Sequence, residues 1–385
     1  MKHACLGEVA TLVSGGTPPR GVTEYFGAGV PWASIGDLND SLVTETKEAL
    51  TASGFANSAA KIVPPGTVLV AMYGASIGKL GVAGSEMCTN QAIAAIQPSC
   101  EDLDSRYLYH FLLAQRKHLR ARGRGGAQPN ISLGDLKKWV IPLRPMNEQR
   151  RIGAMLDQAE NLRTKRSKVI KHLIALEKAT FIDTFGDPIG NEMGWPTGSL
   201  GQQVVRITDG EHKTPLRTEA GIPLLSARSV QRGWIDFTAT DFVGEDVYER
   251  LRRRIEPQDG DVLISCSGTI GRVARVRGPQ RFAMVRSVAL VRPGASLSPG
   301  FLEQLLATDS LNALMNVRAN SSAQANLFQN QIRDLPVIVP PIGLQKSFEE
   351  QIESVTRQRA ISTAALSKLV ELFASLQFRA FSGQL

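Results

Sequence analysis

The residues equipped to bind a ligand fall in a few Gly- and Pro-rich loops. Arg116, Lys117, Arg120, Arg122 and Arg124 occupy nine residues without an acid and run into GRGGAQPN, which carries Gln128 and Asn130. At the matching place 196 residues on, AQAN carries Gln324 and Asn326. A second cluster is a Thr-Pro turn, Ser14-Gly15-Gly16-Thr17-Pro18, beside Asp209-Gly210-Glu211-His212-Lys213-Thr214-Pro215. Basic residues recur at Arg228, at Arg252 to Arg254, and at Arg272, Arg275, Arg277, Arg281 and Arg286, the last five with no acid between them. Amide side chains make paired hydrogen bonds to adenine edges, and guanidinium forks pair with guanine. Clustered arginine beside flexible glycine suits phosphate, the main source of affinity for a polyanionic duplex. Thr17, Tyr73, Arg120, Arg122, Arg124, Gln128, Asn130, His212, Lys213, Thr214, Arg228, Arg272, Arg286, Gln324 and Asn326 are therefore the candidate DNA contacts. The competing reading is structural: Asn and Thr also cap helices and close turns, and a feature kept twice suits a scaffold.

Catalytic patterns are missing from the sequence. GASIGKLG (Gly74 to Gly81) looks like a phosphate loop, but that spacing needs Gly at 73 and Ser or Thr at 80, where Tyr73 and Leu80 stand. His3, His110, His118, His172 and His212 show no metal-binding spacing. There is no G-x-G-x-x-G between a strand and a helix, and no Asp-Pro-Pro-Tyr or Asn-Pro-Pro-Phe box. Cys5, Cys88, Cys100 and Cys266 form no C-x-x-C pair, so free thiols are expected rather than a zinc site or a disulfide framework. No catalytic residue and no metal ligand is assigned.

At 385 residues the chain exceeds the roughly 150 of an ordinary domain, so more than one core is expected. Its 43% hydrophobic and 21% charged composition is globular. A net charge of +8 favours a polyanionic partner. No apolar run reaches the ~18 residues of a membrane span, and the N-terminal stretch lacks a secretory pattern, so a cytoplasmic location is expected.

The elements that must position these loops occur twice. LGEVATLVSGGTPPR from Leu6 matches LGQQVVRITDGEHKTPLR from Leu200, and PPGTVLVAMYGASIG matches PQDGDVLISCSGTIG. AQPN matches AQAN, and Pro145-x3-Gln149 matches Pro341-x3-Gln345, all in one order at offsets of 193 to 197. Each half opens with short apolar runs punctuated by Gly and Pro, of strand character, and a short helical stretch follows. Each then closes on a long helix. The heptad frame Ile152, Met155, Ala159, Leu162, Arg166, Val169, Leu173, Leu176, Thr180 is apolar at seven of nine positions. The frame Phe348, Ile352, Val355, Arg359, Ser362, Leu366, Leu369, Phe373, Leu376, Ala380 is apolar at eight of ten. Such stripes need a partner, so the two helices are expected to pair antiparallel through Ile152, Leu162, Val169, Leu173, Leu176, Ile352, Val355, Leu366, Leu369 and Phe373. The expected fold is α/β (α+β), with a pseudo-twofold internal repeat. Residues 1–146 and 186–342 are the globular domains, and 147–185 and 343–385 the helices, which form a coiled coil.

The ordered set of GGTP and DGEHKTP turns, the twinned strand–turn motif, the QPN and QAN loops, P-x-x-x-Q before a helix, ATFIDTFGDP at its end and the final LQFRAFSGQL resembles the specificity subunit of type I restriction–modification systems over essentially the whole chain. The resemblance implies that each globular domain is a target recognition domain reading one half of a bipartite target in double-stranded DNA. It also implies that the helices space the two domains and dock two modification (methyltransferase) subunits. S-adenosylmethionine, and the ATP and Mg2+ of a separate restriction (motor-nuclease) subunit, then belong to partners, and no cofactor is expected on this chain. Two other classes compete: a fragment of a fused methyltransferase–specificity enzyme, and a coiled-coil adaptor that does not bind DNA. Incubation with S-adenosylmethionine tests the first, and salt-dependent binding of random duplex tests the second.

Overall fold

The computed structural model describes residues 2–98, 102–125, 129–238, 240–319 and 325–385. Contacts gather the chain into two compact units, Met1–Lys165 with Leu366–Leu385, and Arg166–Ala365. Each long helix is thus divided between the units.

In the first unit a five-stranded sheet has the order Ala10–Ser14, Ile93–Pro98, Val68–Ala71, Leu80–Ala83, Ser41–Val43. Its central strand is an uninterrupted apolar run, buried on both faces, as a strand covered on both sides requires. The Pro64-Pro65-Gly66 turn feeds that strand, and Gly66 takes a left-handed φ of 85°, which a side chain resists. A smaller sheet joins Glu48–Leu50, Phe26–Ala33 and Cys88–Thr89. Helix α1 (Ser105–Ala114) covers the large sheet, and α2 (Arg116–Arg122) follows it. Asp104 starts α1 by accepting from the amides of Arg106 and Tyr107. Strand Lys2–Cys5 pairs with Val140–Leu143, immediately before the long helix α3 (Met146–Phe185).

The second unit repeats the plan. Its large sheet has the order Val204–Asp209, Val288–Pro293, Val262–Ser265, Val273–Arg275, and its small sheet joins Asp241–Val243, Ile222–Leu225 and Ala283–Met284. In both small sheets the middle strand is antiparallel to one neighbour and parallel to the other. Helices α4 (Pro299–Leu306) and α5 (Asp309–Ala319) take the places of α1 and α2, and strand Thr197–Ser199 pairs with Pro336–Ile338 before α6 (Ile342–Ser382).

The P-x-x-x-Q repeat has a physical cause. Gln149 is fully buried. Its Nε2 donates to the carbonyls of Asp102 and Arg144 at 2.7 and 2.9 Å, and its Oε1 accepts from Asp104 N at 2.9 Å. Gln345 repeats all three bonds with Ser296, Pro340 and Ser298. Each clamp satisfies backbone groups that would otherwise be buried unpaired, and it ties the long helix to the loop before the covering helix.

Helix pairing follows the expected stripe on α6 and departs from it on α3. Ile352 and Phe373 are buried, and Val355, Leu366 and Leu369 are half-buried along one face of α6. On α3, Ile152 is buried and Leu173 half-buried, but Leu162, Val169 and Leu176 stand 49, 41 and 49% exposed. The seam uses Leu156, Arg163, Ile170 and Glu177, one residue further on at every alternate heptad position. Counting apolar residues selects the wrong frame because two of the true seam positions are charged. Within each unit the helices run antiparallel. In the first, Arg144 donates to the carbonyls of Ala380 and Leu385, and Arg163 lies over Phe373. In the second, Phe181 packs on Phe348, and Glu177 meets Thr356 and Arg359.

Candidate nucleic-acid interface

In the first unit, α2 carries the basic cluster to one end of the large sheet. Arg116 turns inward, donating through Nε to Gly78 O at 2.8 Å and pairing with Asp40. Arg120 Nε reaches Ile77 O at 3.2 Å, and the Arg122 guanidinium lies 5.7 Å from the Trp139 ring centre. The amides of Arg124 and Asn130 donate to each other's carbonyls, both at 2.8 Å. Asn130 also bridges to Tyr73, while Gly74 N donates to Pro129 O and Ile131 N to Met72 O. Backbone pairing therefore brings Tyr73, Arg124 and Asn130 together, next to Arg120 and Arg122. Among the described residues, none of Arg120, Arg122 and Arg124 pairs with a carboxylate. Gln128 lies outside the described residues.

The Thr-Pro turn borders the same sheet end. Thr17 hydrogen-bonds Gln91, and the adjoining Ala92 O accepts from Met72 N. The glycines of the turn are structural: a Cβ on Gly15 would stand 1.8 Å from Thr89 O, and one on Gly210 would stand 2.2 Å from Met284 O. Trp32 Nε1 further donates to Gly16 O. Close backbone approach accounts for the glycine in both halves and leaves the side chains after it free to differ.

In the second unit the equivalent turn and loop form the walls of a cleft of about 590 Å³, which Asp209, His212, Ser267, Arg286, Asn326 and Gln329 help to line. Asn326 bridges to Ser267 as Asn130 does to Tyr73. Lys213 and Thr214 are exposed on the turn. The Lys213 amide donates to Glu211 and holds that carboxyl below its ordinary range. Arg286 is exposed and Arg272 half-buried, and among the described residues neither pairs with a carboxylate. Gln324 lies outside the described residues.

Six arginines of the basic runs in this unit are engaged by carboxylates. Arg228 Nη2 sits 2.9 Å from Asp241, which also meets Arg217. Arg275 pairs with Glu349 and approaches Glu303, and Arg277 pairs with Glu303 at 2.7 Å. Arg281 pairs with Glu245, and Arg252 and Arg254 have carboxylate partners too. Arg252 finds its acids within four residues, whereas those of Arg275, Arg277 and Arg281 come from other segments, which an acid-free run in the sequence hides. His212 is tied to Asp209, which opens the turn and is not among the candidate contacts.

Among the described residues no group of three or more His, Cys, Asp and Glu could hold a metal ion, and no helix is long and apolar enough to cross a membrane. Burial pushes the Cys88 thiol up to about 11 and that of Cys266 up to about 12, so neither is a nucleophile at neutral pH.

A family model for the type I restriction modification DNA specificity domain matches residues 1–172. The chain is 26% identical to the type I restriction enzyme MjaIX specificity subunit of Methanocaldococcus jannaschii over 311 residues, 74% of this chain and 70% of that one. It is also 26% identical to the EcoR124I/EcoR124II specificity subunit of Escherichia coli over 163 residues, 41% of this chain and 40% of the relative. In fold it matches the type I restriction–modification S subunit of M. genitalium with a TM-score of 0.65, at 17% identity, over 99% of this chain and 96% of that one.

Proposed function

We infer from a chain that belongs to the family of type I restriction–modification specificity subunits that its two recognition domains each read one half of a bipartite duplex target. One observation carries this reading. In both halves an Asn-bearing loop is bridged to the turn after the central strand, with arginine close by that meets no carboxylate among the described residues. Phosphate contacts through the arginines would supply affinity, and the loop and turn side chains would supply sequence preference.

The chain's part is recognition without chemistry. The methyl donor S-adenosylmethionine, and the ATP and Mg2+ of a restriction subunit, would sit on partner chains in the cytoplasm. Val169 and Leu176, seven apart along α3 and left out of the helix seam, offer an apolar face on which a methyltransferase subunit could seat. Charged substitutions there should leave folding intact and abolish co-purification with that subunit.

Exchange of residues 186–342 for those of a relative tests the recognition reading. One half of the methylated motif should change and the other should hold. A change in both halves, or no sequence preference at all, overturns it. Methyl transfer by the pure chain would favour the fused-enzyme reading instead.

A further inference from the structure

The duplication allows the chain to be compared with itself. A residue kept in both halves is explained by the fold they share, whereas a departure confined to one cleft asks for a separate cause. Asp209 pairs across its strand with Ala289, and Ser14 pairs with Ala94, so Asp209 stands where Ser14 stands. Helix Gln329–Arg333 corresponds to Leu133–Lys137, with Ile332 and Leu136 fully buried at equivalent positions, so Gln329 stands where Leu133 stands.

These two departures meet. Gln329 Nε2 donates to Asp209 Oδ1 at 2.6 Å, where Ser14 and Leu133 could make no such bond. The same carboxylate takes Arg254 Nη2 at 3.2 Å and His212 Nε2 at 2.9 Å. We propose that Gln329, oriented by Asp209, is a base-reading residue of the second recognition domain and is suited to an adenine edge.

A carboxylate only accepts, so the amide nitrogen of Gln329 must face Asp209. One amide hydrogen is used there. The Oε1 acceptor and the second hydrogen remain, and that pair matches the N6 donor and N7 acceptor of adenine. Arg254 offsets the charge of Asp209, which would otherwise repel phosphate, and His212 bonds the other carboxylate oxygen. Arg286, exposed on the same cleft without a carboxylate partner among the described residues, supplies positive charge. Gln329 is thereby held ready before DNA arrives, which limits the side-chain ordering cost of binding. Asp209 is a positioning residue.

The inference rests on the DNA-reading function, and selection of the full chain from a randomised duplex pool separates the two. Wild type should enrich two separated half-motifs; enrichment of none overturns the function itself. Gln329→Leu and Asp209→Ser install the residues that the first half tolerates at these places. Each should lower the adenine preference about tenfold or more at one and the same position of one half-motif, with the other half-motif unchanged. Selection of the wild-type motif by Gln329→Leu overturns the inference alone. So does a uniform loss of affinity with the motif intact, accompanied by a lower melting temperature, because that is the signature of a structural glutamine.

Discussion

Arg163 and Arg359 hold the same place in the two halves, 196 residues apart, and meet different partners. The Arg359 Nε lies 2.9 Å from Glu177 Oε1, with both side chains 5% exposed. The Arg163 guanidinium lies 4.7 Å from the ring centre of Phe373, the residue equivalent to Glu177. Arg359 also donates to Arg232 O at 2.7 Å, and Thr356 donates to Glu177. A duplicated seam has thus kept its arginine while an aromatic ring stands where the other half has a carboxylate; Arg359 is buried, whereas Arg163 is half-buried and also pairs with Glu160.

Removing one partner of a buried pair strands the other. Glu177→Ala should cost roughly 3–5 kcal/mol. Glu177→Phe, which installs the partner found in the other half, should cost distinctly less, since a cation over a ring is worth about 0.5–2 kcal/mol. Denaturant unfolding of both variants measures this, and equal losses would show that the ring is no substitute.

The glutamine clamps carry a pH signature. Gln149→Ala leaves two carbonyls and one amide without partners and should cost on the order of 3 kcal/mol. Gln149→Glu sets a carboxylate against the carbonyls of Asp102 and Arg144, which raises its folded titration range above the unfolded one. Its stability should therefore recover as pH falls through that raised range, because the protonated acid can donate. A pH-independent deficit would contradict the clamp.

Replacing Arg120, Arg122 and Arg124 by Ala should weaken duplex binding and flatten its salt dependence by up to about one unit of slope per lost phosphate contact, with the preferred sequence unchanged. An unaltered slope would place these side chains away from the DNA.

In a Cys100→Ser background, an alkylating agent at pH 7 should modify half-exposed Cys5 and spare Cys88 and Cys266 until the chain unfolds. Burial holds the last two as neutral thiols, about 11 and about 12, so raising the pH to 9 should not expose them either. Fast labelling of native Cys266 would mean that its strand end opens locally.

Much of this architecture is legible in the residues. The strand–turn runs, the P-x-x-x-Q clamps and both long helices recur at a steady offset, because packing and backbone satisfaction impose the same needs twice. On α6 every position of the frame, charged Arg359 included, is buried or half-buried. On α3 the frame slips because Arg163 and Glu177 sit in the seam and leucine and valine beside them face out. Charge is the least legible property. Arg275 and Arg277 look free until Glu303 and Glu349 arrive from helices remote in sequence. Gln329 belongs to no motif and Asp209 only opens the DGEHKTP turn, and their signal is a difference between halves that a search for likeness discards.

The division of the chain into Met1–Lys165 with Leu366–Leu385, and Arg166–Ala365, bears on the order of synthesis. Tyr107 and Phe111 of the first-made unit lie against Phe381, at 5.3 and 5.4 Å between ring centres, and Phe373 and Ala380 are buried there. The middle unit is continuous and can close as it leaves the ribosome, while the other waits for Leu366–Leu385, which is translated after the middle unit. Until then its aromatic surface is uncovered, so the unit begun before the middle one is completed after it, and slow elongation through residues 166–365 prolongs its exposure to aggregation.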